Sequence, residues 1–125
     1  MINENVGKDL ELKRGDLIEV KFDPVSGDEI GKTRPALIIS NDIANKYSSL
    51  VIIVPLSSRK ETTKERPIYV FLNEGDGGIK KDSFIHCGQI RTIDKRTRIN
   101  KKIGTLNIEK MRLVDNALKI SLALN

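Results

Sequence analysis

Between Leu17 and Ile93 the large apolar residues arrive in short runs. These are "ALIIS" at 36–40, "LVIIVPL" at 50–56 and "IYVFL" at 68–72, each bounded by polar or Gly- and Pro-containing links. Runs this short match buried strands better than helices, which need longer amphipathic stretches. Ahead of them, Leu17–Phe22 alternates, with Ile18, Val20 and Phe22 on one side and Glu19 and Lys21 on the other, as a half-buried strand requires. Gly15 and Asp16 read as the turn that launches this strand, which leaves the Arg-Gly-Asp triplet at 14–16 a structural role rather than an adhesive one.

"ALIIS" predicts a central strand, with Pro35 at its first residue, where a missing N–H is tolerated. "NDIANKYSS" at 41–49 predicts a short helical turn or loop, and "LVIIVPL" a third strand. A polar loop over 57–67, the strand "IYVFL" and a glycine-rich turn "NEGDGGIKKD" lead into "SFIHCGQIRTI", taken as one further strand. After residue 105 the pattern changes. Asn107 is a good N-cap, and Leu106 and Met111 stand where a hydrophobic staple would join.

The helix so begun carries two apolar stripes. One is Ile108, Met111, Val114, Leu118 and Leu122; the other is Leu113, Ala117, Ile120 and Leu124. Together they are wider than one sheet face needs. Either the helix sinks deeply into its own domain or it also meets a partner. The expected fold is therefore mainly β, with four to six mostly antiparallel strands and a C-terminal helix, suited to a small, strongly bent sheet or barrel. At 125 residues this is a single domain over 14–125. Residues 1–13, charged and poor in large apolar groups, predict a loosely ordered arm.

Charge points toward polyanions. The net charge is +5, and "RTIDKRTRINKK" from Arg91 to Lys102 sets six cations against Asp94 alone, a local surplus as large as the whole. Such a cluster favours a phosphate backbone through counterion release; lysines guarding an exposed strand edge would look the same. A single cysteine, Cys87, cannot form an internal disulfide, so the cytoplasm is the default compartment. "MINENVGKD" lacks the basic and apolar parts of a signal peptide, and no apolar run is long enough to span a membrane.

Most catalytic constellations fail on inventory. His86 is the only histidine, and as strand neighbours it and Cys87 point to opposite faces, which disfavours a shared metal or a nucleophile and base pair. His86 reads first as a structural residue, or as a proton shuttle if it faces a groove. The glycines at 75, 77 and 78 fit no phosphate-binding loop, and the signatures of the common nucleic-acid modules are absent. What remains are polar groups at strand ends: Glu29 in the first long loop, Arg34 opening the second strand, and Ser57 with Ser58 closing the third. If those two strands are antiparallel neighbours, Arg34 and Ser57 share a rim. A guanidinium fork and a hydroxyl then suit phosphate oxygens. A salt bridge from Arg34 to Asp28 or Glu29 is the competing reading.

"RGDLIEVKFDPVSGDEIGKTRPALIISND", "VIIVPLS", "DSFIHCGQIRTIDK" and "VDNALKISLAL", in that order from Arg14 to Leu124, resemble the MazF/PemK family of toxins from bacterial toxin-antitoxin pairs. The resemblance implies a small SH3-like barrel of the CcdB/MazF type, a homodimer, and an endoribonuclease (mRNA interferase). Such an enzyme needs no metal or cofactor and cuts single-stranded RNA at short motifs. Carried over by position, the family's catalytic arginine falls on Arg34 and its hydroxyl on Ser57, with Ser58 an alternative, while Glu29 matches an acidic loop residue near the site and is the alternative to the arginine as catalytic base. RNA contacts are then expected from Ser58, Arg59 and Lys60 in the polar loop and from Gln89, Arg91 and Lys95 along the basic segment. A cognate antitoxin with an acidic, flexible tail is the expected partner. The alternatives are a CcdB-like gyrase inhibitor, which the lack of tryptophan disfavours, and an RNA-binding barrel that does not cut.

Overall fold

A computed structural model of the protein describes residues 10–125. Its strands are β1 (Asp16–Lys21), β2 (Thr33–Ile38), β3 (Leu50–Ser58), β4 (Tyr69–Leu72), β5 (Ser83–His86), β6 (Arg91–Asp94) and β7 (Ile99–Thr105). Helices α1 (Asp42–Tyr47), α2 (Lys95–Arg98) and α3 (Ile108–Leu122) and a 3₁₀ turn at Asp76–Gly78 complete the chain. All pairings are antiparallel, in the order β4-β5-β3-β2-β1-β7, with β6 lying beside the first half of β3. The mainly β, barrel-like architecture with a C-terminal helix is thus present. The sheet does not close, since β4 and β7 remain its ends.

β3 is the axis of the fold. One edge pairs with β2, and the other is shared between β6, against Leu50–Ile53, and β5, against Leu56–Ser58. Serving both partners breaks "SFIHCGQIRTI", expected as one strand, into two. The break falls at a turn in which the Gln89 N–H donates to the His86 carbonyl at 3.1 Å. Gly88 fits that turn because a Cβ there would press on Ile68 Cδ1 at 2.8 Å. The position of Pro35 also differs from expectation. It is the third residue of β2, beside Glu19 of β1, but the β2–β3 ladder begins only at Ala36, so its missing N–H falls where β2 is paired on one side.

Both faces of the central strands are buried, in two cores. Leu17, Leu37, Val54, Leu56, Ile85 and Leu72 face α3, which contributes Val114 and Ala117. Ile18, Val20, Phe22, Ala36, Ile38 and Ile53 fill the other side with Ile93 and Ile99. Leu12 is 4% exposed and Leu10 packs against this second core, so order begins before Arg14; the rest of the expected arm, residues 1–9, lies outside the described residues. Asp16 explains the Arg-Gly-Asp triplet. Its buried carboxylate accepts from the Lys13 N–H at 2.8 Å and the Thr105 hydroxyl at 2.9 Å, tying β1 to β7, and Gly15 supplies a φ of +96° for the turn.

α3 is capped as its sequence predicts. Asn107 Oδ1 accepts from the Lys110 N–H at 2.8 Å, and Leu106 and Met111 pack in the same core. Ala123 takes a left-handed conformation, and the Leu124 N–H closes on the Lys119 carbonyl at 2.8 Å. Of the two stripes, only Val114 and Ala117 are buried; Ile108, Leu113, Ile120, Leu122 and Leu124 are at least half exposed. The helix therefore does not sink into its own domain.

Cys87 is fully buried in the helix-side core, and burial pushes its thiol up to about 12. At neutral pH it is a small apolar side chain with almost no thiolate. Iodoacetamide should leave the folded protein unlabelled and modify one thiol per chain in denaturant, as read by intact mass. Labelling under native conditions at the denatured rate would contradict this burial.

Candidate active site

The apolar face formed by Ile18, Ala36 and Ile53 turns polar at one end. Ala36 pairs with Pro55, and continuing that register by two residues sets Arg34 opposite Ser57. On the far edge of β3, Ser57 pairs with Phe84 of β5, and Phe84 with Phe71 of β4; one step along, His86 pairs with Tyr69. Directly paired residues share a sheet face. Ser57, Phe84, His86, Tyr69 and Phe71 therefore form one shelf, with ring centroids 5.7 Å apart for Tyr69 and Phe84 and 5.5 Å for Phe71 and Phe84. The shelf holds Ser57 Oγ 2.5 Å from His86 Nε2, and the imidazole lies against Tyr69 at 4.5 Å between centroids.

Arg34 is fixed by its backbone in β2 and by Nε donating to the Gly31 carbonyl at 2.8 Å. Among the described residues no carboxylate lies within ion-pairing distance of it. The competing salt bridge to Asp28 or Glu29 is not formed, and the terminal guanidinium nitrogens are left for a ligand. Arg34, Ser57 and Ser58 line two hollows at once. One, of about 530 Å³, adds Lys60, Lys64, Arg66, Tyr69 and His86. The other, of about 270 Å³, adds Lys32, Lys80 and Lys81. Among the described residues neither has a carboxylate in its lining. Burial first, and the Arg34 guanidinium second, hold His86 below the ordinary histidine value of 6.5, so the ring is neutral at pH 7.

The other expected residues are dispersed. Glu29 lines a separate hollow of about 650 Å³ with Phe22, Ile30, Gln89 and Arg91, and its carboxylate accepts from the Ser26 N–H at 3.3 Å, so the structure does not bring it to Ser57. Gln89 Oε1 accepts from the Ile30 N–H at 2.9 Å, and Arg91 donates to the Phe22 carbonyl at 2.7 Å. Arg59 lies over the Phe71 ring at 5.1 Å.

Lys95, expected at the RNA, is buried with Nζ donating to the Asn45 carbonyl at 2.8 Å, which leaves it no phosphate to meet. Much of the basic segment is similarly engaged. Arg98 bonds the Lys21 and Asp23 carbonyls, Lys102 meets Asp16 at 3.2 Å and Lys101 lies 3.9 Å from Glu19. The cations at the site come instead from the loops around 60–66 and 80–81. His86 is the site residue that sequence reasoning ranked as structural; the signal available was its spacing, since position 86 must face away from the core if Ile85 and Cys87 face it.

Among the described residues no three His, Cys, Asp or Glu side chains come close enough to hold a metal ion, and no helix is long and apolar enough to cross a membrane. The fold is similar to that of MazF (form I) from Deinococcus radiodurans, with a TM-score of 0.76 and 24% identity over 93% of this chain and 100% of that one. It is also similar to an endoribonuclease in complex with its cognate antitoxin from a mycobacterial species, with a TM-score of 0.74 and 20% identity over 91% and 97% of the two chains. The Mycobacterium tuberculosis toxin MazF-mt6 gives 0.73 and 18% identity over 88% and 98%. A family model for the PemK-like, MazF-like toxins of type II toxin-antitoxin systems matches residues 13–122, and the chain belongs to that family.

Proposed function

We propose that the protein is a metal-independent endoribonuclease that cuts single-stranded mRNA to a 2′,3′-cyclic phosphate and a 5′-hydroxyl, with Arg34 and Ser57 at the scissile phosphate. One observation carries this reading: Arg34 and Ser57 stand together between two hollows whose linings, among the described residues, hold six further cations and no acid. An RNA strand crossing that saddle would set its flanking phosphates over Lys60, Lys64 and Arg66 on one side and Lys32, Lys80 and Lys81 on the other. RNA carries its own nucleophile in the 2′-hydroxyl, so neither a metal nor an enzyme nucleophile is required. Charge grows on the nonbridging oxygens as the 2′-oxygen attacks, where the fixed guanidinium fork of Arg34 stabilises it without reorganising. Between the two serines the geometry favours Ser57, whose hydroxyl is held by His86, while Ser58 lies one residue further along β3. Gln89 and Arg91, in the larger hollow with Phe22 and Ile30, suit a flanking base.

The same surface suits an acidic antitoxin tail, which would inhibit by occupying the phosphate path; one of the similar structures is an endoribonuclease with its cognate antitoxin. A homodimer is supported by the unpartnered side of α3. Leu118, Leu122 and Leu124 line a cleft of about 410 Å³ with Ile39, Ile52 and Ile90, beside the Arg14–Asp115 ion pair at 2.7 Å. An apolar area of this kind is uncommon on a monomer.

The test is to incubate a long RNA with the purified protein in EDTA and map the new 5′ ends. Cuts at a recurring motif, with 5′-hydroxyl ends, are expected. Binding without cuts would point to a noncatalytic RNA-binding barrel, and neither binding nor cuts, with gyrase inhibited, to a CcdB-like toxin.

A further inference from the structure

We infer that His86 is the proton acceptor behind Ser57, taking the 2′-hydroxyl proton by way of the Ser57 hydroxyl; the inference rests on the ribonuclease reading above. Cleavage needs a base for the 2′-hydroxyl, and a guanidinium, which as a side-chain type holds its proton far above neutral pH, is poorly suited to accept one. Glu29 lines another hollow. Within the Arg34–Ser57 hollow the groups that face His86 are Arg34 from β2, Ser57 from β3, Tyr69 from β4, and Lys60, Lys64 and Arg66 from the polar loop. Among these side-chain types an imidazole is the one suited to exchange a proton near neutral pH. Its neighbour Cys87 points into the core on the opposite face.

The geometry is that of an activated hydroxyl: Ser57 Oγ and His86 Nε2 at 2.5 Å, with the ring packed at a tilt of 55° against Tyr69 and its neutral form favoured by burial. In the step so built, the 2′-oxygen bonds to phosphorus while its proton passes to Ser57 Oγ and the Ser57 proton passes to Nε2. The bond from phosphorus to the 5′-oxygen breaks. The leaving oxygen takes a proton from water, and the hydroxide formed takes the proton back from the imidazolium. Ser57 and His86 both return to their starting forms. Arg34 meanwhile holds the nonbridging oxygens, and its charge also disfavours a lasting imidazolium, which speeds the return.

Two measurements test this. Because the chain has one histidine, NMR of tag-free wild-type protein follows the ring's titration directly. The single-turnover rate should rise with pH to a plateau, with its midpoint below 6.5 and coincident with the ring's. His86→Gln can still hydrogen-bond to Ser57 but does not titrate. It should lose roughly 10²-fold or more in rate, lose the acid limb, and bind an oligonucleotide with 2′-deoxyribose at the scissile position as tightly as wild type.

A variant that cuts within tenfold of wild type, keeps the acid limb or loses analogue binding would overturn the proposal. So would a kinetic midpoint that does not match the ring's in wild type, a comparison that stands even if the variant fails to fold. If wild type makes no cuts, the ribonuclease reading itself falls. If wild type cuts, Arg34→Ala does not, and His86→Gln is normal, only the role of His86 falls.

Discussion

Arg34→Ala should reduce RNA cleavage by roughly 10³-fold, the loss seen when one preorganised donor to a developing oxyanion is removed, while leaving the fold intact. The separation of the two effects follows from what the side chain touches. Its one intramolecular hydrogen bond among the described residues is from Nε to the Gly31 carbonyl, and no carboxylate balances its charge. Removing it costs about 1 kcal/mol of stability for that bond, a few degrees in melting temperature for a domain of this size. Arg34→Lys keeps the charge but not the planar fork and should recover only part of the lost rate. Single-turnover cleavage and a thermal melt on the same samples decide the matter. Loss of cooperative folding in Arg34→Ala would assign the arginine to the structure instead of the chemistry.

The strand ends were legible in the sequence because they obey two local rules. Apolar runs fixed which segments are buried, and short links made neighbours antiparallel, so Arg34 and Ser57 were expected on one rim, and they line the same hollows just beyond the last β2–β3 pair, Ala36 with Pro55. The cap at Asn107 was legible for the same reason, since its partner Lys110 is three residues away.

What depends on distant partners was not. "SFIHCGQIRTI" reads as one strand until β3 is seen to pair its two halves separately. Lys95 and Arg98 read as free cations until the Asn45 and Asp23 carbonyls are found beside them. The basic segment from Arg91 to Lys102 therefore overstated its own availability, whereas Lys64, Arg66, Lys80 and Lys81, scattered among acids in sequence, converge in space. Net charge says that a polyanion is attractive, and the topology says where. His86 was undervalued because a lone strand histidine carries no sign of its diagonal neighbour, and that neighbour, Ser57, lies 29 residues away.

Phe84→Ala should have the opposite profile to Arg34→Ala, with stability lost and chemistry retained. Phe84 is 1% exposed and lies between Ser57 and Phe71 in register, with its ring packed against Tyr69 and Phe71. Truncating a buried phenylalanine costs about 3–5 kcal/mol, through lost transfer energy and the cavity left behind. That is a large part of the 5–15 kcal/mol typical of a whole domain. In urea the midpoint should fall with little change in slope, because the surface exposed on unfolding is nearly the same. Phe84→Leu, leaving a smaller void, should lose less.

Ser57 and His86 are carried by the backbones of β3 and β5 and bonded to each other, so the fraction of Phe84→Ala that remains folded at low temperature should still cut RNA. A midpoint shift worth under about 1 kcal/mol, the scale of an ordinary surface change, would mean the aromatic shelf contributes little to the fold. Full stability with lost cleavage would mean instead that the ring's work is to aim Ser57, and that the sheet alone does not hold the hydroxyl in place.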